Sequence, residues 1–449
     1  MIRLRFALAC LLALAPAVLA RPAGAEMLED STTVEAWKLP NGLQVRVRQV
    51  PGARSVAISL AYRAGSCLEP AALPDLAPVL AQVQFTAPVG SIPERTLAEM
   101  SSVRPLGWGV TTNPRLSLLT EVAAPDRFVG VLHEVAMRAR GVQVSDSCLA
   151  HVVAAVRRDA GERRFGRAQA ALYERVRDAA LGMGEAQALE RSRGRAFARL
   201  TRARADSLLK TYYVASNASL ALVGDFSHLD VRALIEREFG PVAPGSPQPD
   251  PPAEPLAAAT RVSVLNSMPG PASVVGIIAP AIEDSLHPAF YLSTLILGSW
   301  WGREHKDSAG FLDSHFQYSL LDEPELARFD AEIPAEHSTV SDQVQMWGDA
   351  MNEYAQLAVT ADVRTVLRAS VRWLIGGPLT PAQVKQAANT PTFLSTLATT
   401  TATRALWKGD AFWAAYLERF ESARFGSNSF LGWLTAPEHQ AVVVLKPRP

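Results

Sequence analysis

From residue 33 to residue 66 the chain largely alternates apolar and polar side chains, as TVEAWKLPNGLQVRVRQV and then SVAISLAYRAGS. A period of two belongs to a strand that lays one face on a core. Asn41-Gly42 separates the first two runs, and this dipeptide favours the backbone of a two-residue hairpin. The pattern therefore predicts paired strands over 34–38 and 43–50 and a third over 55–64. The period then lengthens. LPDLAPVLAQVQF (73–85) reads as a helix, 94–101 as a short one, 103–122 as two strands and 127–140 as an amphipathic helix. CLAHVVAAVRRDAGERRFGRAQAALYERVRDAAL (148–181) reads as one long Arg-rich helix. A helix over 201–213 leads into a strand over 220–224 and a helix over 229–239.

The stretch 241–259, PVAPGSPQPDPPAEPLAAA, suits a semi-extended tether. Beyond it the first pattern repeats in weaker form. Strands are predicted over 262–265 and 274–279, an apolar helix over 288–302 and a strand over 326–332. Helices follow over 338–358, 361–375 and 381–399, and a closing strand over 440–446. Strands mixed with helices in two tandem units predict an α+β fold, each unit a mixed sheet backed by helices. The expected boundaries are a leader over 1–25, a first domain over 26–243, a linker over 244–259 and a second domain over 260–449.

Composition narrows this further. At 449 residues, 48% hydrophobic and 20% charged, the chain is globular and long enough for more than one core. Basic and acidic residues balance at 44 each, so charge gives no footprint for nucleic acid. Arg3 and Arg5, the apolar run 6–20 and Ala23-Gly24-Ala25 read as a secretory signal cut near Ala25, which implies a periplasmic or extracellular protein. No later segment is apolar for the roughly 20 residues of a membrane span. Cys67 and Cys148 then remain, a candidate disulfide in an oxidising compartment or two separate thiols.

Several short features carry a resemblance to the insulinase/pitrilysin family of zinc peptidases. Leu39-Pro40-Asn41-Gly42-Leu43, the next strand, Gly65-Ser66 and Glu69-Pro70 follow the order in which such domains open. Tyr213–Asp225, YVASNASLALVGD, is similar to the strand that closes the first domain. LILGSWWG at the end of 288–302 resembles a Leu-Gly-Gly stretch of the second. The resemblance implies two tandem homologous domains of the LuxS/MPP-like metallopeptidase fold.

It also implies where a zinc site belongs. In the family a His-x-x-Glu-His helix supplies two ligands one turn apart and a Glu that activates the metal-bound water. In register with Asp75-Leu76-Ala77, those three positions fall on Pro78, Ala81 and Gln82. The third ligand position falls on Ala154 or Ala155, or by strict count near Asp159. An Asn expected on the substrate-binding edge strand is replaced by Trp108. Of the Arg–Tyr pair that holds the substrate backbone, Tyr318 matches. Leu312 stands six residues before it, and Arg303 is the nearest alternative. His133-Glu134 starts a His-Glu-x-x-His pattern but meets Met137, so it reads as a helix-surface pair. Arg157, Arg158, Arg163, Arg164 and Arg167 read as a solvated face, and His305 and His315 as surface residues.

These departures imply no zinc cofactor and no hydrolysis. The first functional expectation is an exported, non-catalytic subunit that pairs with a catalytic paralogue of the same family, a heterodimer acting on peptides. A peptide-binding or envelope scaffold without such a partner is the alternative. An active zinc metalloendopeptidase with a displaced site is the third.

Overall fold

The computed structural model describes residues 32–68, 76–161, 168–180, 200–249, 261–266, 271–304, 313–356, 360–423 and 430–447. The leader 1–25 and most of the proline-rich stretch lie outside the described residues, as do Arg163, Arg164, Arg167 and His305. No described helix is long and apolar enough to cross a membrane.

Strands β1 (Thr33–Lys38), β2 (Gln44–Gln49), β3 (Val56–Tyr62), β4 (Trp108–Thr112), β5 (Ser117–Ala123) and β6 (Ala218–Gly224) form one sheet, ordered β1-β2-β6-β3-β5-β4. β2 and β6 run parallel, and the other neighbours are antiparallel. The expected hairpin is present with a longer loop. Lys38 faces Gln44, and the loop closes between Leu39 N–H and Leu43 O, with Gly42 at φ 96°. Asn41 Nδ2 donates to Phe239 O at 2.8 Å and Val242 O at 3.1 Å. The residue that makes the turn also fastens it to the end of the Val231–Phe239 helix.

β3 and β6 are buried along their whole length, so both faces of the sheet need cover. On one face Val45, Val47, Ile58, Leu60, Leu220 and Leu222 join the apolar sides of the Leu76–Thr86, Phe128–Arg140 and Val231–Phe239 helices in one core. The other face is small-residue-rich at its centre, at Ser59, Ala61, Thr120, Ser219 and Ala221. Its rows are Thr120–Ser59–Ala221 and Leu118–Ala61–Ser219. The Pro391–Leu406 helix packs here across β3, β6, β5 and β2. Thr399 Oγ1 lies 3.1 Å from Thr120 Oγ1, which lies 3.0 Å from Ser59 Oγ. Small groups on both surfaces permit this close approach.

β7 (Arg261–Asn266), β8 (Ala272–Ile278), β9 (Asp313–Ser319), β10 (Glu323–Glu332) and β11 (Gln440–Pro447) form a second sheet, ordered β7-β11-β8-β10-β9. β7 runs parallel to β11 and the rest pair antiparallel, which is the first sheet's scheme without its outermost strand. The Ala168–Ala180 helix sets Leu172 and Val176 against Val274, Leu326, Val443 and Leu445. Gly276 makes the room, since a Cβ there would stand 2.5 Å from Val176 Cγ2.

The described residues fall into two compact units, one drawn from 1–156, 196–252 and 369–417, the other from 157–195, 253–368 and 418–449. These differ from the contiguous 26–243 and 260–449 division. Each sheet takes one covering helix from the opposite half of the sequence. Burial rewards any apolar helix that fits a bare sheet face, however distant in sequence. Within the expected 148–181 helix, Asp146–Gly161 and Ala168–Ala180 are helical. The expected 381–399 helix is two, because Pro391 starts a new one after Thr390.

Candidate functional site

The Leu76–Thr86 helix packs Leu76, Val79, Leu80 and Val83 into the first core. Pro78 is tolerated because the first-turn N–H groups have no intrahelical acceptor. Pro78 and Gln82 stand one turn apart and half-buried, and Ala81 is fully buried between them. The helix therefore sets Pro78 and Gln82 as an i, i+4 pair, with Ala81 directly before Gln82. Their chemistry does not fit a zinc ion. Proline and alanine carry no donor group, and a single neutral amide does not replace two imidazoles. On the Asp146–Gly161 helix, Ala154 is exposed and Ala155 and Asp159 are half-buried. Among the described residues, no three His, Cys, Asp or Glu side chains come together so as to hold a metal ion.

Beside this helix runs β4, the last strand of the first sheet, which among the described residues pairs only with β5. Its Trp108 turns inward. The indole stacks on Phe85 of the helix, with ring centroids 5.7 Å apart and planes at 27°, and donates from Nε1 to Ser101 Oγ at 3.2 Å. Trp108 thus ties the edge strand to both the Leu76–Thr86 and the Leu97–Val103 helices. Replacing it by Ala removes the stacking and the apolar contact, and should cost roughly 1–3 kcal/mol. Thermal unfolding of Trp108→Ala checks this, and an unchanged midpoint would show that the indole is not a tie. On the strand's other face a Cβ on Gly109 would meet nothing within 4 Å.

Behind the edge strand lies a buried ion cluster that no periodic pattern in the sequence signals. Glu121, paired in register with Trp108, is 2% exposed and accepts from both Arg104 and Arg138. Glu134 accepts from Arg104 at 2.6 Å and from Arg95 at 3.2 Å. Burial raises the Glu134 carboxyl, but Arg104, Arg95 and Arg138 outweigh it and hold the group below its ordinary value. So His133-Glu134 is not a simple surface pair. Glu134 belongs to this cluster, while half-exposed His133 meets Glu238 at 2.7 Å.

Cys67 and Cys148 are not joined as a disulfide. Cys67 sits in the Ser66–Leu68 turn, its N–H on Pro114 O at 2.8 Å. Cys148 is buried in the core, where burial, with Glu94 nearby, pushes its thiol up to about 11.

In the second unit, Tyr318 lies on the edge strand β9, an element the apolar–polar pattern does not predict. Its hydroxyl donates to Pro324 O at 2.7 Å and meets His287 Nε2 at 2.8 Å. The ring stands edge-on to Phe290 at 5.7 Å. These contacts fix the phenol within its own unit. Arg303 falls in the last turn of the His287–Glu304 helix, and Leu312 lies outside the described residues. His315 pairs with Asp330 at 3.5 Å.

Residues 199–320 match the family described as the peptidase M16 inactive domain. No curated protein matches the chain by sequence. Among solved structures it is similar to a protease from Helicobacter pylori, with a TM-score of 0.71 and 14% identity over 94% of this chain and 100% of that one. It is similar also to a peptidase M16 inactive domain from Pseudomonas fluorescens, with a TM-score of 0.65 and 14% identity over 93% and 98% of the two chains. The periplasmic protease PqqL from Escherichia coli gives a TM-score of 0.63 at 14% identity, and there 94% of this chain covers 48% of the other. Over residues 199–320 the chain thus matches the M16 inactive-domain family, and as a whole it shares the fold of these solved structures.

Proposed function

We propose that the chain is an exported, non-catalytic insulinase-family protein that pairs with a zinc-bearing paralogue and helps it take peptides. One observation carries this reading. The helix that would supply the metal ligands and the general base presents Pro78, Ala81 and Gln82. None of the three can hold zinc as an imidazole does or take a proton from water at neutral pH. The helix is nonetheless intact and well packed, so the scaffold is kept while its chemistry is lost. The name of the matched domain agrees with a non-catalytic role, and a second, catalytic subunit would supply what this helix lacks. Co-expression with each M16 paralogue encoded in the same genome, followed by affinity capture, tests the pairing. The expected result is a stoichiometric complex with one zinc-containing paralogue. Recovery of this chain alone against every paralogue would reject the partner role. The position of β4 at the sheet edge, with no second neighbour among the described residues, favours a second reading, a peptide-binding scaffold that works without a partner. Peptide binding by the chain alone, with no paralogue captured, would favour it.

A further inference from the structure

We infer that the two halves of the sequence are obligate partners that hold together without a covalent link between residues 249 and 261. This is independent of the partner role proposed above. It follows from the exchanged helices.

In the first unit, the second half of the sequence closes the sheet face that the first half leaves bare. Leu394, Leu397, Ala398, Ala402 and Leu406 of that helix are all buried. Polar contacts run the length of the join. Arg54 N–H donates to Ala388 O at 3.0 Å, Thr120 meets Thr399 at 3.1 Å, and Arg63 donates to Leu406 O at 2.6 Å. Arg46 pairs with Asp410 at 2.6 Å, and the Arg115 guanidinium lies 4.6 Å from the centre of the Trp407 ring. Arg404 is itself buried but donates to Trp373 O and Leu374 O, so the donated segment is braced internally where it docks.

The second unit returns the exchange. The Ala168–Ala180 helix, from the first half, puts Leu172 and Val176 on β8, β10 and β11. Its Arg177 reaches Glu323 at 3.2 Å. Removing either half would therefore strip from the remaining sheet the apolar helix that covers one of its faces. Burial of this kind is ordinary core formation, and it does not depend on the chain being continuous.

The test uses the full chain with a protease recognition sequence inserted between Pro249 and Arg261, cut after folding. The expected result is that both pieces elute together at the volume of the uncut chain and separate only in denaturant. Two separately eluting pieces in native buffer, or precipitation of one piece on cutting, would overturn the inference. A second variant checks the cause. Gly276→Val in the same cut protein sets a side chain against Val176, and the urea midpoint at which the pieces part should fall. A midpoint unchanged by this substitution would contradict a hold that runs through the Ala168–Ala180 helix.

Discussion

Glu121→Ala should destabilise the first unit by roughly 3–5 kcal/mol, among the largest effects of any single substitution in this chain. The carboxylate is 2% exposed and is the acid shared by Arg104 and Arg138, themselves 7% and 4% exposed. Its removal leaves two buried guanidinium groups with only Glu134, which is closer to solvent, to answer them. The loss comes from stranded charge more than from a lost contact. A triple replacement, Glu121→Leu with Arg104→Met and Arg138→Met, should therefore recover most of the stability. Urea unfolding of the single and triple variants measures both. A single variant within about 0.5 kcal/mol of the parent would mean that the cluster is not desolvated. Because Glu121 faces Trp108 across the edge strand, the same variant should loosen the strand beside the altered helix.

Acid should weaken the second unit through His287. Its ring is buried, and burial lowers its pKa from 6.5 to about 4, despite the opposing pull of Pro324 O, Glu283 and Asp284. The folded state therefore holds the imidazole neutral where the unfolded chain would protonate it. Stability from this group is complete above about 6.5 and is lost as pH falls towards 4. Two and a half pKa units correspond to roughly 3 kcal/mol at full extent. Carboxylates also titrate in this range, so the informative quantity is the difference between the parent and His287→Gln. The parent should lose more stability than the variant between pH 6.5 and pH 4. Parallel pH profiles would show that His287 is not held neutral. Tyr318, whose hydroxyl meets His287 at 2.8 Å, gives this titration a path to the β9 edge.

Local pattern reached much of this fold. Alternation and Asn41-Gly42 locate β1, β2 and β3, because strand period and turn chemistry are written in neighbouring residues, while the resemblance carried by Tyr213–Asp225 locates β6. The Leu76–Thr86 helix appeared nearly where apolar spacing set it. β9 was missed, since Asp313–Ser319 mixes a charge, a His and aromatics without clean alternation. The helix exchange was out of reach for a different reason. Nothing within Pro391–Leu406 names Ser59, Thr120 or Ala221 as its surface, and only the complementary smallness of both becomes visible on folding. At the site, the lack of imidazole and carboxylate at Pro78, Ala81 and Gln82 is legible residue by residue. The ion cluster was not. Glu121, Arg104, Glu134 and Arg138 look like ordinary surface charges until the sheet and two helices enclose them.

The proposed non-catalytic role requires that the Leu76–Thr86 helix hold no catalytic metal. Zinc bound per chain, measured by elemental mass spectrometry on the purified chain from Glu26 onward with a quenched peptide substrate assayed alongside, tests it most directly. Zinc at background and no cleavage are expected. One zinc per chain together with peptide turnover would contradict it, and would place a working site away from Pro78, Ala81 and Gln82.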